Sequence, residues 1–369
     1  MKTWIEIDGA ALRHNFRSLA RLAKPADTMA VIKANAYGHG LLECANILKD
    51  EKVNWFGVDH IDEALALRKE GMKQRILVIG YTPSERLAEA AKKQISLTVF
   101  HLDTLKAMSK LQTKFSIHIP IETGLTREGI EGKELEVMLK YIHAHRDSLM
   151  LEGVHMHFAN IEDTKSRAYA DKQISEFEKA TRTLEEYKMY PIKHTAATAA
   201  SILYSNTHLD LVRTGIGLYG LWPSEDTRRR SQDRLDLKPV LTWKTLVAQV
   251  KSVKSGTPVS YGLTERVRRD SKVAVLPIGY ADGFDRVANS KRGHVLINGK
   301  RCKVLGRVCM NMTMVDVTDA GIVKPEQEVV LIGKQGKERM SAEEVAGLGK
   351  TINYEVVTRI NWDIPRLVI

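Results

Sequence analysis

The chain has 369 residues, of which 43% are hydrophobic and 27% are charged. This length favours two domains or one large barrel with an addition, and the composition excludes a disordered protein. The net charge of +11 does not indicate nucleic-acid binding, because the basic residues are scattered and their one tight run, 228–230, lies in an apparent solvated linker. No apolar run approaches the roughly 20 residues that span a bilayer and no signal-peptide core is present, so we expect a cytoplasmic protein without membrane contact.

Eight short apolar segments rich in β-branched residues recur between residues 29 and 215, and each has the length of one buried strand. Most are separated by stretches with helical spacing of apolar residues, for example 60–71. Eight strands that alternate with helices predict a (β/α)8 TIM-type barrel, which typically takes about 250 residues. An open doubly wound sheet is the main alternative. The segments are MAVIKA, WFGV, RILVIG, SLTVF, FSIHIPIE, LEGVHMH, IKHTA and DLVRTG.

The pattern changes after residue 233, where β-like segments alternate with glycine-containing turns and helical spacing is absent until SAEEVAGLG. Asn298 and Gly299 predict a tight hairpin. Ser341 and Glu344 have the spacing of a capping box at a helix start. We therefore predict a barrel over residues 1–233 and a mostly β domain over residues 234–369, and the strand-like residues 1–9 fit either domain.

A lysine, Lys33, lies inside the apolar motif AVIKANAYGHG, where a predicted strand ends. It either extends its amine to the surface along its aliphatic stem or is held in a cleft as an amine that forms a Schiff base. Four other polar residues also fall at or after the ends of predicted strands. Because barrel active sites lie at the carboxyl ends of the strands, all five point to one site. The other four are Arg127, His157, Thr198 and Arg213.

The segment GIGLYG, 215–220, matches the dinucleotide fingerprint G-x-G-x-x-G. Its context does not fit, because Pro223 interrupts the helix that should follow and no strand-ending acid lies at the expected distance. We interpret these glycines instead as backbone donors to a phosphate, as is common after the last two strands of a barrel.

Two histidines, His155 and His157, would face the same side of one strand, as in a metal-dependent barrel hydrolase. No carboxylate or further histidine has a comparable placement, and the three cysteines form no CxxC pair, so we predict no metal site. His157 is expected to position other groups, and His155 to be satisfied in the core or at the surface. A metal-dependent hydrolase is kept as an alternative of a different class.

Several motifs together resemble the alanine racemase family: AVIKANAYGHG, VSYG, IGYADG, GRVCM, TINYEV and a near-terminal IPR. The resemblance runs almost end to end, whereas the single-domain pyridoxal-phosphate homeostasis protein would stop near residue 230. It implies a homodimeric enzyme that uses pyridoxal 5′-phosphate to interconvert L-alanine and D-alanine, a precursor of peptidoglycan. A broader-specificity or serine racemase of the same family and a non-catalytic pyridoxal-phosphate carrier are the alternatives.

The resemblance also implies roles for individual residues. Lys33 is expected to bind the cofactor and to act as one acid/base group, with Tyr261 of the partner subunit as the other. Arg213 is expected to donate to the pyridine nitrogen, which keeps that nitrogen unprotonated and weakens the cofactor as an electron sink. Arg127 would hold the substrate carboxylate. His157 is expected to contact the cofactor and, with Arg213, to provide positive charge near Tyr261. Tyr280 and Met310 are expected on the substrate side. The residues expected at the phosphate are Tyr37, Thr198, Gly215, Ile216 and Tyr354.

The chain departs from the family's pattern near the expected substrate. Pro120 stands where the family usually has a lysine, often carbamylated, that positions the arginine corresponding to Arg127. Ala197 replaces an asparagine and Asn311 replaces a common aspartate. We hypothesise that these changes alter the kinetics or relax the specificity toward serine and other amino acids.

Overall fold

The structure, a computed structural model, describes residues 1–290 and 292–369. The chain divides into two compact units. Residues Ala10–Ala36 and Cys44–Lys238 form the first, here called the barrel unit. Residues Met1–Gly9, Tyr37–Glu43 and Pro239–Ile369 form the second, here called the β unit. The domain boundary at residue 233 stays a prediction.

Eight parallel strands form the sheet of the barrel unit, and the first strand pairs with both the second and the eighth. Strands seven and eight are linked by a bridge between Ala197 and Arg213, and the Arg213 N–H donates to the Ala196 carbonyl over 2.9 Å. This nearly closed sheet confirms the TIM-type barrel and excludes the doubly wound alternative. In order, the strands are Asp27–Val31, Trp55–Val58, Arg75–Val78, Ser96–Thr98, Phe115–Pro120, Leu149–His155, Ile192–His194 and Leu211–Thr214.

Several helices between the strands bury one apolar stripe. In Gly132–Ala144 the buried residues recur at helical spacing, which is the pattern of a helix that covers a sheet. The α-helices that lie wholly or mostly in this unit are Gly9–Ala23, Leu41–Leu48, Ile61–Lys69, Leu87–Lys92, Leu102–Lys110, Gly132–Ala144, Ala168–Glu186, Thr198–Leu203 and Glu225–Ser231. Short 3-10 helices span Ser84–Arg86, Ser205–Thr207 and Ile216–Tyr219.

The segment that carries the run of three arginines forms a short helix, Glu225–Ser231, so its prediction as a solvated linker was wrong. The Ser224 hydroxyl caps this helix by accepting from the Thr227 N–H over 3.0 Å. Acidic residues occupy the first turn and the arginines the last, which complements the helix dipole. Arg228 also pairs with Glu225 over 2.6 Å. The charge run is therefore largely neutralised within its own helix.

The β unit contains a mostly antiparallel sheet. Its strand Thr3–Ile7 runs antiparallel to Leu241–Leu246 and parallel to Arg366–Val368, so the first and last strands of the chain join the same sheet. Asn298 and Gly299 have φ of +54° and +67° and connect two paired strands, which confirms the predicted hairpin.

The helix Ala342–Gly349 of the β unit begins as predicted, because the Ser341 hydroxyl accepts from the Glu344 N–H over 3.1 Å. No helix in residues 1–290 and 292–369 is long and apolar enough to cross a membrane. The other helices of this unit are Arg286–Asn289, Asn353–Thr358 and the 3-10 turns Tyr261–Leu263 and Tyr280–Asp282. Its remaining strands are Gln249–Val253, Pro258–Val259, Glu265–Arg266, Ser271–Leu276, His294–Ile297, Lys300–Leu305, Thr313–Asp316, Glu328–Gln335 and Glu338–Met340.

Candidate active site

Lys33 follows the first barrel strand and begins a left-handed turn. The four residues from Ala34 to Tyr37 all have φ between 52° and 54°, a conformation that costs an L-residue roughly 1–2 kcal/mol. The turn is held in part by a hydrogen bond of 2.9 Å from the Ala36 N–H to the Ile32 carbonyl. Backbone strain of this kind occurs mainly at functional sites, where the surrounding structure maintains it.

Two carboxylates hold this lysine and its turn. The Lys33 Nζ lies 2.9 Å from Asp59 Oδ1. Glu63, only 5% exposed, accepts from the Asn35 N–H over 3.1 Å and from the Asp59 N–H over 2.9 Å. Glu63 thereby ties the turn after the first strand to the loop after the second. The sequence analysis missed both acids, although Asp59 directly follows the strand WFGV and Glu63 lies in the first turn of the next helix, Ile61–Lys69.

Arg213 is a buried cation, and nearly all of its N–H groups donate hydrogen bonds to other parts of the protein. Its Nη1 donates to both Nδ1 and the carbonyl of His194 over 2.7 Å. Its Nη2 donates to the carbonyls of Met156 over 2.7 Å and Thr195 over 3.2 Å. These contacts use the N–H groups of both terminal nitrogens, so the Nε–H is the donor that remains. Burial lowers the pKa of Arg213 to about 10, so it stays protonated at neutral pH.

His157 lies beside this arginine, with its Nδ1 at 3.4 Å from Arg213 Nη2. Burial, together with the positive charges of Arg213, Arg127 and Lys33, lowers the pKa of His157 to about 3. Its ring is therefore neutral near pH 7, so of His157 and Arg213 only the arginine carries positive charge, and its influence on Tyr261 stays a prediction. The Gln173 side chain donates to its carbonyl over 3.1 Å and fixes the loop that carries it.

Three residues expected at the phosphate lie together after strands seven and eight. The Thr198 hydroxyl accepts from the Gly215 N–H over 3.0 Å, and Thr198 is only 3% exposed. The 3-10 helix that begins at Ile216 follows directly, and the first N–H groups of a helix have no acceptor inside it. The Gly215 N–H is committed to Thr198, so the donors at hand are the hydroxyl of Thr198 and the start of that helix.

Arg127 lies in a tightly organised loop after the fifth strand. Its Nη2 lies 2.6 Å from Glu128 Oε1, and its Nε contacts the other carboxylate oxygen of Glu128. The Glu122 carboxylate fixes the loop by accepting three consecutive backbone N–H groups. These belong to Gly124, Leu125 and Thr126, at 2.5, 2.8 and 3.1 Å.

Within the β unit, the two tyrosines expected at the phosphate lie next to each other. The ring centroids of Tyr37 and Tyr354 are 6.2 Å apart. Gly38, with φ of +81°, allows this approach, because a Cβ there would lie 2.0 Å from the Val357 carbonyl oxygen. Arg366 donates to the Gly38 carbonyl over 2.9 Å and holds the segment in place. The motif AVIKANAYGHG thus supplies Lys33 to the barrel unit and Tyr37 to the β unit.

Tyr261, Tyr280 and Met310 form a second group in the β unit, and they are 67%, 42% and 56% exposed. The backbone N–H groups of Tyr280 and the next residue donate to the carbonyls of Cys309 and Met310 over 3.1 and 3.0 Å. The loop of Tyr261 joins them, because the Ser260 hydroxyl donates to the Arg307 carbonyl over 2.5 Å.

Two family models together match most of the chain. The alanine racemase N-terminal domain matches residues 7–223, and the alanine racemase C-terminal domain matches residues 240–368. The chain belongs to the alanine racemase family. Alanine racemases are isomerases that use pyridoxal 5′-phosphate, so this chain is an enzyme with that cofactor.

Similar proteins cover nearly the whole length of this alanine racemase family member. An alanine racemase of Carboxydothermus hydrogenoformans is 40% identical over 99% of both chains, and one of Methanococcus maripaludis is 38% identical over 99% of this chain and 98% of its own. The crystal structure of the Bacillus anthracis alanine racemase with bound L-Ala-P has a TM-score of 0.92 at 35% identity and covers 100% of this chain and 95% of its own.

Replacing Glu63 tests how this alanine racemase family member holds the turn after Lys33. Glu63→Gln turns one carboxylate oxygen into a donor that faces a backbone N–H donor, so we expect the free energy of unfolding to fall by about 1–3 kcal/mol. Urea denaturation measures it. Glu85→Gln, an exposed site on the nearby 3-10 helix, is the matched control and should change stability by less than about 0.5 kcal/mol. Equal stability of the two variants would contradict the assigned role of Glu63.

Proposed function

We propose that the chain interconverts L-alanine and D-alanine as a cytoplasmic homodimer, with Lys33 of one subunit and Tyr261 of the partner subunit as the two acid/base groups. The observation that carries the proposal is the buried Arg213, whose one uncommitted N–H is suited to a pyridine nitrogen. The positive charges of Arg213, Arg127 and Lys33 all act on His157 in the same barrel unit, which supports a single site around that cation.

The residues present fit pyridoxal 5′-phosphate. Within the barrel unit, a phosphate dianion suits the hydroxyl of Thr198 together with the N–H groups at the start of the helix Ile216–Tyr219. The hydroxyls of Tyr37 and Tyr354 stay predicted phosphate ligands. The ring nitrogen suits the Nε–H of Arg213, which donates and does not give up its proton. When bound, the cofactor supplies the conjugated system that accepts negative charge from the α-carbon of the substrate. His157, neutral beside Arg213, would help to orient the ring.

The proton transfers need one group on each face of the substrate α-carbon. The Lys33 amine would exchange a proton on one face, and the Tyr261 phenol of the partner subunit would exchange one on the other. Removal from one face and return to the other inverts the configuration. Asp59, 2.9 Å from Lys33 Nζ, would keep the amine positioned next to the substrate α-carbon.

The substrate carboxylate would bind Arg127. Glu128 contacts the Nε and Nη2 edge of the Arg127 fork, which leaves the N–H groups of Nη1 for the substrate. Because Pro120 cannot carry a carbamate, Glu128 would supply the carboxylate that orients this arginine. The predicted relaxation of specificity through Pro120, Ala197 and Asn311 stays a prediction.

The exposed apolar surface around Tyr261 supports a homodimer. Leu263 and Met312 are 64% and 54% exposed beside the exposed Tyr261 and Met310. Neighbouring large apolar side chains at the surface of a folded chain commonly mark a contact with another chain. The three cysteines are free, as is usual for a reducing compartment such as the cytoplasm.

The two-base assignment predicts that Tyr261→Phe removes racemisation and keeps the visible absorbance of the bound cofactor. The phenol proton is lost, whereas Lys33 and the phosphate ligands remain. Polarimetry with L-alanine and absorbance spectra provide the readouts, and Tyr190→Phe, at an 82% exposed site of the barrel unit, should behave as the unchanged protein. Normal racemisation by Tyr261→Phe would make the two-base assignment wrong.

The same measurements separate the alternative functions. A carrier would show the cofactor absorbance without racemisation by the unchanged protein. A metal-dependent hydrolase would show no cofactor absorbance that depends on Lys33, whereas we expect that absorbance to disappear in Lys33→Ala.

The dimer proposal predicts that Leu263→Asp separates the subunits, because a carboxylate would be buried without a partner in the interface. Sedimentation should show a monomer that binds the cofactor and loses most of its racemase activity. Ile322→Asp, at a 77% exposed site of the same unit, is the matched control and should remain dimeric and active. A fully active Leu263→Asp monomer would contradict a shared active site.

A further inference from the structure

The interior of the barrel contains a row of buried histidines, one of which, His194, contacts Arg213. His118, His155 and His194 are 0%, 4% and 0% exposed and come from strands five, six and seven. Barrel interiors are usually filled with apolar side chains. Burying a row of polar side chains at this position costs free energy of folding, so the row requires a structural or functional reason.

We propose that Glu152, His118 and His194 are positioning residues that form a chain of polar contacts to Arg213 and keep its Nε–H directed at the ring nitrogen of the cofactor. The proposal rests on the proposed function only for the contact between the Arg213 Nε–H and the cofactor ring nitrogen. The contacts among Glu152, His118, His194 and Arg213 are a property of the protein and can be tested without measuring the reaction.

Each proton in this chain has a direction that Arg213 sets. A guanidinium only donates, so His194 Nδ1, at 2.7 Å from Arg213 Nη1, must accept, and the His194 proton sits on Nε2. His194 Nε2 lies 2.9 Å from His118 Nδ1, which must therefore accept in turn. The His118 proton then sits on Nε2 and faces the Glu152 carboxylate, with Nε2 3.4 Å from Oε2, an electrostatic contact without hydrogen-bond geometry. Burial lowers the pKa of both histidines, so each carries a single proton.

Glu152 lies at the end of this chain of contacts opposite Arg213 and is the one carboxylate in it. The Ser96 hydroxyl donates to Glu152 Oε2 over 2.5 Å, and Arg75 Nη1 lies 3.7 Å from Oε1. Burial alone would raise the pKa of Glu152, but the contact with His118 and the hydrogen bond from Ser96 lower it below its usual value. Among residues 1–290 and 292–369 no carboxylate forms an ion pair with Arg213, so the chain links this buried cation to the negative charge of Glu152.

The backbone is shaped to admit His118. A Cβ on Gly153 would lie 2.2 Å from His118 Nδ1, so the neighbouring strand accommodates this ring only with glycine at that position. The pairing of the two strands also shifts register between Ile117 and His118. These features place the ring between His194 and Glu152.

The same geometry argues against a metal ion held by the three histidines, although their candidate ligand atoms lie within 4.8 Å of one another. His194 has no free lone pair, because Nδ1 accepts from Arg213 and Nε2 carries the proton. A cation would also lie close to the buried guanidinium. The ring of His155 is neutral and stacks on that of His194, with the two centroids 4.9 Å apart, so His155 packs beside the chain and is not one of its links.

Nitrogen-15 NMR of the histidine side chains in the cofactor-loaded protein tests the chain directly. We expect His194 and His118 each to be protonated on Nε2 and unprotonated on Nδ1, with His118→Phe and His194→Gln used for assignment. The opposite tautomer of either ring, a doubly protonated ring, or displacement of the His194 Nε2 proton by one equivalent of added Zn²⁺ would overturn the proposal.

Glu152→Gln tests the function of the chain. We expect the kcat for alanine to fall about tenfold while KM changes less than twofold, as is typical when a residue behind a directly contacting group is changed. The pH titration of the cofactor absorbance should also shift. The matched control is Glu51→Gln, which changes a barrel-unit carboxylate bound by Arg17 at 2.7 Å. It should leave kcat and the pH titration of the cofactor absorbance unchanged.

The outcomes separate this chain from the proposed function. The expected tautomers without racemisation by the unchanged protein would contradict the proposed function and leave the chain intact. An unshifted titration and unchanged kcat in Glu152→Gln would overturn the positioning role, and His118→Phe would then be expected to behave in the same way.

Discussion

The buried positive charge of Arg213 is the constraint on which the barrel and its site depend. A guanidinium taken out of water needs acceptors for its N–H groups, and strands and loops around it supply carbonyls and the ring of His194. These contacts fix the plane of the side chain and leave the Nε–H. The same charge helps to keep His157 neutral and sets the proton positions of the histidine row. One cation thus organises both the expected cofactor contact and the interior behind it.

The motif AVIKANAYGHG shows how a short segment serves two compact units. Its strand ends just before Lys33, a left-handed turn follows, and Tyr37 then packs beside Tyr354 within the β unit. The strain in that turn persists because Glu63 binds two backbone N–H groups across neighbouring loops. The residues expected to react and to bind the cofactor phosphate, Lys33 and Tyr37, are therefore close in sequence, while the residues that support them come from separate parts of the chain.

Much of the fold was predictable because strands buried on both faces have continuous apolar sequences, and all eight predicted barrel segments contain strands. The hairpin at Asn298 was predictable because few residues adopt positive φ. Asp59, Glu63 and Glu128 were not found, since an isolated acid in a helical or loop segment looks like an ordinary surface charge until tertiary contacts are known. The helix around Arg228 was missed because its charge run obscured the capping serine. The role of His118 could not be predicted, because the residues that it contacts, His194 and Glu152, are distant from it in sequence.

The most direct test of this account is the protonation state of the cofactor ring nitrogen in the loaded enzyme, measured by nitrogen-15 NMR with labelled cofactor and labelled arginine. The account predicts an unprotonated nitrogen that is hydrogen-bonded to the Nε–H of Arg213 and keeps that state from about pH 6 to about pH 9, because the pKa of Arg213 is about 10. A protonated ring nitrogen, or one with no coupling to Arg213, would contradict it.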